Sequence, residues 1–439
     1  MNGVEVVARP ATAAAVPGRI EGRSISQWRS EAREQLGLMQ APVVACGHQC
    51  ESWHPGILAK NLWVEAMAER DGAQAVHVIV DQDGFDGMHV EWPARDPEGW
   101  WRVRGHRFAP ESGMAMGGPT FLPRTLDPGP GVSAEVADGL MRLQEALHRN
   151  RNAADAADQS TRALLQLASR VLAMPTVVRA SALLGTTLGL RLIERMLDDP
   201  VGCASAFNDA LAVVPRAARP LRVAGDRTEL PLWLAGDNGE RVRASASEVR
   251  TAIALGRPVL PRAFLMGALV RTALADRFVH GLGGSIYEPV TDRWLRRWLG
   301  WTPPAFDVVS ATLRLPIELP GAAPAPAMAW RRAWCDPELL SSGGHGPSPS
   351  RRRLLELIAS LPPRDPARRT AYRELLDDRN AARLRRSGEL ESLQAAETAA
   401  GARRLAEAMA ARRTWCFVLQ APEALRRLRD AVRARLPRA

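Results

Sequence analysis

The chain has 439 residues, of which 46% are hydrophobic, and this is enough to bury a large core divided into two or three lobes. Its formal net charge is +10, but the basic excess lies in the last 89 residues, which hold 21 arginines and 11 acidic residues. Residues 1–350 are balanced in charge, so their composition excludes a basic nucleic-acid-binding surface there.

The cysteines and the N-terminal residues predict a cytoplasmic protein. Five cysteines are scattered along the chain, and this odd number argues against a secreted disulfide framework and predicts free thiols. No charge-free run of about 18 apolar residues occurs. Glu5 and Arg9 lie where a signal peptide would have its apolar core. We therefore expect no membrane partner.

The pattern along the chain predicts an α/β fold with a parallel sheet core in two parts, separated by a helical insertion. A glycine- and serine-rich linker and an Arg-rich helical hairpin follow the core. The predicted segments are 1–23 for a disordered N-terminus, 24–132 for the first part of the core, 133–213 for the helical insertion, 214–340 for the second part of the core, 341–350 for the linker and 351–439 for the Arg-rich helical C-terminal region.

A strand–helix–strand pattern places the first candidate site. Residues 41–45 are a short apolar run, residues 57–70 have apolar side chains at helical spacing, and residues 75–80 form a second buried strand. The loops that follow parallel strands open at one edge of the sheet, where open α/β folds bind ligands. The loop "CGHQCESWHPG" is therefore expected to lie close to Asp81 and Asp83.

Metal and thiol chemistry are two possible functions of this loop. Cys46, His48, Cys50 and His54 are zinc-ligand types, but they form one contiguous string instead of paired arms from two places, so we assign no metal site. A catalytic thiol near a helix N-terminus is a second possibility, because the helix end lowers a thiol pKa. For Cys46 we prefer a third interpretation, a small buried residue at the strand end.

Phosphate binding involves more of the same loop. Pro55 suits the first helical position, Gly56 would let a phosphate approach the backbone, and the positive helix end attracts anions. His54 and Lys60 would add donors, and Lys60 is the single lysine among 58 basic residues. An ordinary loop and helix start is consistent with the same residues, so this alternative stays open.

A second candidate region lies late in the core. A helix predicted over residues 264–278 is followed by the glycine-rich stretch "HGLGG" and by Tyr287. A helix C-cap with extra glycines is the simpler explanation of that stretch. His280 is the candidate general acid or base, because imidazole titrates near neutrality. Asp81 and Asp83 would hold Mg²⁺ or a substrate amine, or else cap the next turn.

These stretches resemble uncharacterised bacterial proteins related to the putative cysteine ligase of bacillithiol biosynthesis. In that family a Thr-Gly-Gln-Gln stretch precedes the first core helix, an Asp-His-Asp-type cluster follows the next strand, and a Gly-rich segment with a downstream tyrosine comes late in the core. The resemblance spans residues 41–300, and His48, His54 and His280 depart from the family pattern. The matching positions are Gly47, His48 and Gln49 in the first motif, Asp81 and Asp83 in the second, and Gly283, Gly284 and Tyr287 in the third.

The resemblance implies a Rossmann-like core with helical additions and a nucleotide site, in a ligase that joins cysteine to a glucosamine-malate acceptor. It also implies a coiled-coil-like C-terminal hairpin that pairs two subunits into a homodimer. The catalytic candidates are His280, Asp81 and Asp83. The residues expected to bind ATP or ADP with Mg²⁺ are Gly47, His48, Gln49, His54, Gly56, Lys60, Gly283, Gly284 and Tyr287.

Our leading hypothesis is therefore a ligase-like enzyme that uses an adenine nucleotide to join or activate a small amine- or thiol-bearing substrate. The alternative is a non-catalytic scaffold whose Arg-rich C-terminal helices contact nucleic acid or an acidic partner. We expect these helices to be a solvated, partner-facing hairpin that does not read nucleic acid. Interspersed acidic residues, with Tyr372, Trp415 and Phe417 as the aromatic residues, make a poor surface for stacking bases.

Overall fold

The computed structural model describes residues 3–11, 19–115, 117–321, 329–340 and 348–437. The strands are β1 (Glu5–Arg9), β2 (Val43–His48), β3 (Gln74–Ile79), β4 (Gly84–Phe85), β5 (His89–Arg95), β6 (Trp101–Arg107), β7 (Ser112–Ala115), β8 (Thr176–Arg179), β9 (Glu229–Ala235), β10 (Arg241–Ser245), β11 (Val259–Pro261), β12 (Arg277–His280) and β13 (Phe306–Thr312). The α-helices are α1 (Ile25–Gln35), α2 (Pro55–Asp71), α3 (Ala134–Arg149), α4 (Ala156–Ala168), α5 (Ala180–Leu184), α6 (Thr187–Asp198), α7 (Pro200–Ala210), α8 (Ala246–Ala254), α9 (Ala263–Leu269), α10 (Leu282–Leu299), α11 (Trp330–Cys335), α12 (Pro349–Ser360), α13 (Pro366–Arg385), α14 (Ser387–Ala411) and α15 (Pro422–Arg433).

The fold is mixed α/β, and its main sheet is mostly parallel. The strand order is β1-β13-β12-β2-β3-β8, in which β1 is antiparallel to β13 and the other neighbours are parallel. The chain runs outward from β2 through β3 to β8 and resumes on the other side of β2 with β12 and β13. The order therefore reverses between β2 and β12, the position at which open α/β sheets bind ligands.

The predicted strand–helix–strand unit is confirmed. Strand β2 is parallel to β3, and α2 connects them. Helix α2 ends at Gly72, which adopts the left-handed conformation that glycine tolerates best. The side chains from Pro55 to Ala68 are buried, because α2 packs between the sheet and α15. A helix buried all round in this way lacks the polar face of a surface helix.

The N-terminal segment differs from the expectation of disorder. Residues 5–9 form β1, which pairs along its length with β13 from Glu5 opposite Thr312 to Arg9 opposite Val308. These backbone hydrogen bonds extend the sheet by one edge strand. Residues 1–2 and 12–18 of the predicted disordered segment, and residues 341–347 of the predicted linker, lie outside the described residues.

Two short strands were missed because each lies beside a helical pattern. The predicted helical insertion contains β8, which is parallel to β3 and so contributes to the sheet. The helix predicted over residues 264–278 ends at Leu269 and continues as a π turn, and β12 follows. Asp276 fixes the start of β12 beside β2, because its carboxylate accepts from the Val43 amide at 2.7 Å.

The hairpin predicted at residues 236–239 is confirmed. It joins β9 to β10, with the Gly236 amide donating to the Glu240 carbonyl at 2.8 Å and Gly239 at a φ of 79°. Strand β11 pairs with the other edge of β9, so three antiparallel strands form a separate small sheet.

The chain divides into two compact units. The first comprises Met1–Asp96, Arg102–Leu315 and Arg412–Ala439, and the second comprises Pro97–Trp101 and Pro316–Ala411. The predicted C-terminal region is therefore split, with α12, α13 and α14 in the second unit and α15 in the first. Among the described residues, none of the helices is long and apolar enough to cross a membrane.

Helix α15 belongs to the first unit because its apolar face is buried against α2. Leu425, Leu428 and Val432 are buried on that face, whereas Arg433 lies beside Glu65 and Glu69. The second unit has its own small core, in which Ala333, Leu390 and Leu393 are buried and Trp330 packs against them.

Candidate functional site

A cavity of about 700 Å³ lies at the carboxyl ends of β2, β3 and β12, where the strand order reverses. Its walls are the loop after β2, the residues after β3, the start of α10 and the small β9–β10–β11 sheet. Residues of the first candidate stretch and of the late glycine-rich stretch therefore line one space. This volume is within the range of ordinary small-molecule sites.

The cavity carries an excess of positive charge. Among its described lining residues Asp83 is the single acidic one, and it pairs with Arg241 at 2.6 Å. An excess of one sign of charge in a cleft attracts ligands of the opposite sign. In the described part of the chain, three of the six basic lining residues, Lys60, Arg219 and Arg413, form no ion pair. The basic lining residues are Lys60, Arg219, Arg241, Arg243, Arg262 and Arg413.

Lys60 is buried, with 3% of its surface exposed. Its Nζ donates to the Gly47 carbonyl at 2.7 Å and lies 3.5 Å from His48 Nδ1. Both partners are neutral acceptors, and burial lowers the pKa of Lys60. A buried ammonium without a carboxylate is unfavourable in the free protein, and an anion bound in the cavity would relieve this.

The histidines of the first loop are both held in place. Burial lowers the pKa of His48 well below its ordinary value, and the positive charge of Lys60 lowers it further. Burial also lowers the pKa of His54, to about 4. His48 Nε2 lies 3.2 Å from Glu51, so this nitrogen carries the hydrogen and Nδ1 faces Lys60. Both rings are therefore neutral at pH 7.

The N-terminus of α2 is not the open phosphate cradle that the sequence predicted. His54 Nδ1 accepts from the Gly56 amide at 3.0 Å, and the His54 carbonyl accepts from the Ile57 and Leu58 amides. Pro55 has no amide hydrogen. The first-turn donors of α2 are thus satisfied within the protein, because the His54 ring acts as the N-cap.

Gly56 lines the cavity and also has a packing role, and its predicted role of admitting a phosphate stays a prediction. A Cβ at this position would lie 2.6 Å from Ser310 Oγ and 3.0 Å from the Ala311 carbonyl oxygen of β13. We predict that Gly56→Ala lowers the free energy of unfolding by about 1–3 kcal/mol, because α2 must shift away from β13. Urea denaturation measures this effect, and an unchanged midpoint would contradict the packing role.

The N-terminus of α10 is open toward the cavity. Its N-cap is Gly281, which makes no side-chain cap hydrogen bond, and within the described residues no acceptor contacts the amides of Leu282, Gly283 or Gly284. A Cβ on Gly283 would meet nothing within 4 Å. Lys60 lies beside this end, since its Cδ is 3.7 Å from a Cβ position on Gly281. Free amides and a nearby ammonium form an anion-binding arrangement.

His280, the candidate acid or base, has both ring nitrogens near protein partners. Nδ1 accepts from the Gly281 amide at 3.1 Å, and Nε2 lies 3.4 Å from the buried Glu288. Burial lowers the pKa of His280, although Glu288 opposes the shift. Gly284 accommodates this ring, because a Cβ on it would overlap the His280 imidazole. The ring therefore needs to move before it can exchange a proton with a ligand.

The two aspartates predicted to act together have different environments. Asp81 binds Arg179 at 3.0 Å and the Ser181 amide at 2.9 Å, so it fixes the start of α5 and does not line the cavity. Asp83 does line the cavity, but it accepts from Arg241 and from Gln49. Since both carboxylates are engaged with donors, they do not fit a preformed Mg²⁺ site, and we assign no step to that ion.

Gly47, Gln49 and Tyr287, which the sequence predicted to bind a nucleotide, also line the cavity. A Cβ on Gly47 would lie 2.9 Å from the Val78 carbonyl, so glycine permits the close approach of β2 to β3. Tyr287 packs edge-to-face against His280 at 5.6 Å, and burial raises its pKa. Tyr287 is therefore a neutral phenol that supplies a wall of the cavity.

Cys46 and Cys50 are buried thiols. Cys46 Sγ contacts Asn61 Oδ1 at 3.3 Å, and Cys50 Sγ contacts Thr161 Oγ1 at 3.3 Å. Burial raises their pKa values to about 11 and about 12, so both are protonated at pH 7 and poorly nucleophilic. Across the described residues, no cluster of three His, Cys, Asp or Glu side chains is placed to hold a metal.

We predict that replacing Cys46 and Cys50 with Ser leaves the protein folded, because the hydroxyls find the same polar neighbours. Circular dichroism and the zinc content of the purified protein test this. Stoichiometric zinc that the double substitution removes, together with the folded state, would contradict it.

The arginines of the cavity wall were not predicted from the sequence. Arg241 and Arg262 both lie against the Trp233 ring, with guanidinium carbons 5.3 and 4.1 Å from the ring centroid. Arg413 follows α14 and donates to Ser310 at 2.7 Å, which lies 103 residues earlier. Only the hairpin turn pointed to the first pair, and no local signal pointed to Arg413.

No protein-family model matches the chain, and no curated protein matches it.

Proposed function

We propose that the protein binds an adenine nucleotide in this cavity and is a ligase-like enzyme, similar to the cysteine-adding enzyme of bacillithiol biosynthesis. In this proposal ATP or ADP is the cofactor, and the substrate that is joined or activated is a small amine or thiol. The supporting observation is the convergence of an unpaired buried Lys60 and the uncapped N-terminus of α10 on one cationic cavity. Phosphate groups match both features in charge and in hydrogen bonding.

We propose a Rossmann-like core on the same basis. Numbered along the chain, the parallel strands β2, β3, β8, β12 and β13 have the spatial order 3-2-1-4-5. This is the order of doubly wound nucleotide-binding sheets, in which the ligand lies at the carboxyl ends where the order reverses. The order supports the proposal at the level of fold, and Lys60 and the α10 amides support it at the level of the site.

In this proposal the main task of the protein groups is to position the phosphates and to stabilise their charge. The α10 amides and Lys60 would stabilise charge that develops on a transferred phosphate, which is the main task in phosphoryl and adenylyl transfer. Neutral His54 accepts through Nδ1, so its Nε2–H can donate toward the cavity. His280 remains the proposed acid or base on the acceptor side, after its ring leaves Glu288.

Calorimetric titration with ATP and ADP tests the proposal. Gly283→Ala should weaken binding at least about tenfold, because a Cβ would enter the space next to the free amides that bind the charged phosphate. The same change should keep or raise stability, by roughly 0.5–1 kcal/mol, because Ala favours helix. A folded wild type that binds neither nucleotide would refute the site.

Gly388→Ala is the matched control. Gly388 is the second residue of α14 as Gly283 is the second residue of α10, and a Cβ there also meets nothing within 4 Å. Its substitution should leave nucleotide affinity unchanged. Equal losses in the two variants would point to a general effect of the substitution and would remove the support for a phosphate at α10.

We also propose that the helices of the second unit pair two copies of the chain. Leucines on α12, α13 and α14 are exposed, most of all Leu384, which is 80% exposed. Exposed apolar side chains on long helices favour association. This surface is also the specific support for the alternative function, a non-catalytic scaffold. Light scattering measures the mass, and a monomer would contradict the pairing.

A further inference from the structure

Gln82 has an unusual environment for a buried primary amide. It follows β3, lines the cavity and is 3% exposed. Its Nε2 contacts Met266 Sδ at 3.2 Å, and its Oε1 has no hydrogen-bond partner in the part of the chain that is described. Sulfur is a weak acceptor and Oε1 is buried without a partner, so neither end of this amide has a strong hydrogen bond within the described residues, and a small rotation of the side chain would present it to a ligand. A buried carbonyl oxygen left unpaired is unfavourable, and this favours a ligand that donates to it.

The neighbours of Gln82 restrict what that ligand is. Met266 and Phe264 lie on α9, and Phe264 packs edge-to-face against Tyr287 at 5.6 Å. These side chains give the cavity an apolar and aromatic wall close to the amide. A flat, neutral ring system suits such a wall, because it buries apolar surface and still carries polar atoms at its edge.

Charge argues against an ammonium group as the donor to Gln82. The adjacent Asp83 is neutralised by Arg241 at 2.6 Å, and the remaining charged groups in the described lining are basic. A second cation among them would be repelled. A neutral edge with a donor beside an acceptor satisfies Oε1 and Nε2 together, and a glutamine amide binds adenine through such a pair.

We propose that Gln82 is a specificity-determining residue that recognises the 6-amino group of adenine. In this arrangement Oε1 accepts from the exocyclic amine and Nε2 donates to the neighbouring ring nitrogen, while the phosphates extend toward Lys60 and α10. This inference rests on the proposed nucleotide binding and adds the position and the selectivity of the base.

The test is calorimetric titration with two nucleotides that differ at one group. ATP carries the 6-amino group, and purine riboside triphosphate carries hydrogen in its place. Wild-type protein should bind ATP at least about tenfold more tightly, the range expected for one bidentate amide contact. In Gln82→Met, which preserves side-chain length and removes the amide, the two affinities should agree within about twofold.

Gln74→Met is the control. Gln74 begins β3 at the opposite end of the strand and donates to Thr176 at 2.8 Å. This variant should keep the wild-type preference for ATP. Equal affinity of the wild type for the two nucleotides overturns the inference without any variant, and so does an undiminished preference in Gln82→Met. In both cases the nucleotide proposal stands, whereas a wild type that binds neither compound overturns both.

Discussion

Lys60→Met is expected to hold or raise the stability of the free protein and to weaken nucleotide binding by about ten- to a hundredfold. The effect on stability and the effect on binding both come from the uncompensated charge of Lys60. Among the described residues, the partners of the buried ammonium are the Gly47 carbonyl and the His48 ring, so its desolvation is poorly compensated without a ligand. Methionine fills a similar volume without the charge. A residue whose removal stabilises the fold but weakens binding is one retained for function.

The pH dependence gives this prediction a second readout. Burial lowers the pKa of Lys60 from its ordinary value of 10.5, so the unfolded chain binds this proton more readily than the folded one. The destabilisation caused by the buried Lys60 ammonium is fully present below the pKa of Lys60 in the folded protein. It disappears as pH rises through 10.5, the pKa in the unfolded chain. The stability difference between Lys60→Met and wild type should therefore narrow from pH 7 to pH 10 in urea denaturation.

Arg216→Met is a suitable control, because it also removes one positive charge but Arg216 is exposed and does not line the cavity. It should change neither stability nor nucleotide affinity measurably. If Lys60→Met binds ATP as tightly as wild type, the ammonium is not part of the anion site. A loss of stability in Lys60→Met would show that its two hydrogen bonds outweigh its desolvation.

The parts of the fold that the sequence predicted depend on local patterns. The periodicity of residues 41–80 reports one strand, one buried helix and a second strand, and the turn at residues 236–239 fixes a hairpin between neighbours. Strands β8 and β12 have four residues each and pair with strands far away in the sequence. A four-residue run beside a helix carries no periodicity of its own, so only the assembled sheet defines it.

For the candidate site, too, local motifs selected residues, but they did not give the contacts of those residues with distant parts of the chain. Lys60, His54 and Gly283 were selected from local motifs, and the structure places them on one cavity. The motif did not show that His54 itself caps α2, or that Gly56 faces Ser310 of β13. Both facts depend on the position of a side chain or strand that the local sequence does not specify.

The functions of Asp81 and Asp83 were not separable from sequence, since the two residues are equivalent in the motif. Their difference comes from Arg179, which is 98 positions from Asp81, and from Arg241, which is 158 positions from Asp83. Arg413 is a further case, because it reaches Ser310 only after the chain returns from the second unit to the first. Long-range ion pairs of this kind are fixed by topology, and a single sequence does not encode them in any short window.

The largest loss of stability is expected for Arg271→Met, about 3–5 kcal/mol. Arg271 Nη1 lies 2.6 Å from Glu288 and 2.9 Å from Asp292, and its Nε donates to the Pro304 carbonyl at 2.7 Å. The side chains of Arg271 and Glu288 are 1% and 0% exposed. Without the guanidinium, the Glu288 carboxylate is buried beside Asp292, and no other Lys or Arg of the described residues pairs with it.

The pH dependence of this loss has a definite sign. Burial alone would raise the pKa of Glu288, but His280 and Arg271 outweigh it and hold the pKa below its ordinary value of 4.5. In wild type this carboxylate therefore contributes stability above pH 4.5, and the contribution disappears as pH falls through the folded-state pKa. In Arg271→Met the pKa of Glu288 should rise, so the difference from wild type should widen as pH increases from 4.5 to 7.

Two further variants separate the buried carboxylate from simple loss of packing. Arg271→Met combined with Glu288→Gln should recover part of the stability, because the uncompensated charge is gone, and it should show a weaker dependence on pH. Arg426→Met, which breaks the exposed pair with Glu423 on α15, should have no measurable effect. A loss for Arg271→Met that is constant from pH 4.5 to 7, with no recovery in the double variant, would assign Arg271 to packing and hydrogen bonding with the Pro303 and Pro304 carbonyls. Recovery in the double variant would instead identify Arg271 as the counter-ion that keeps Glu288 ionised beneath His280.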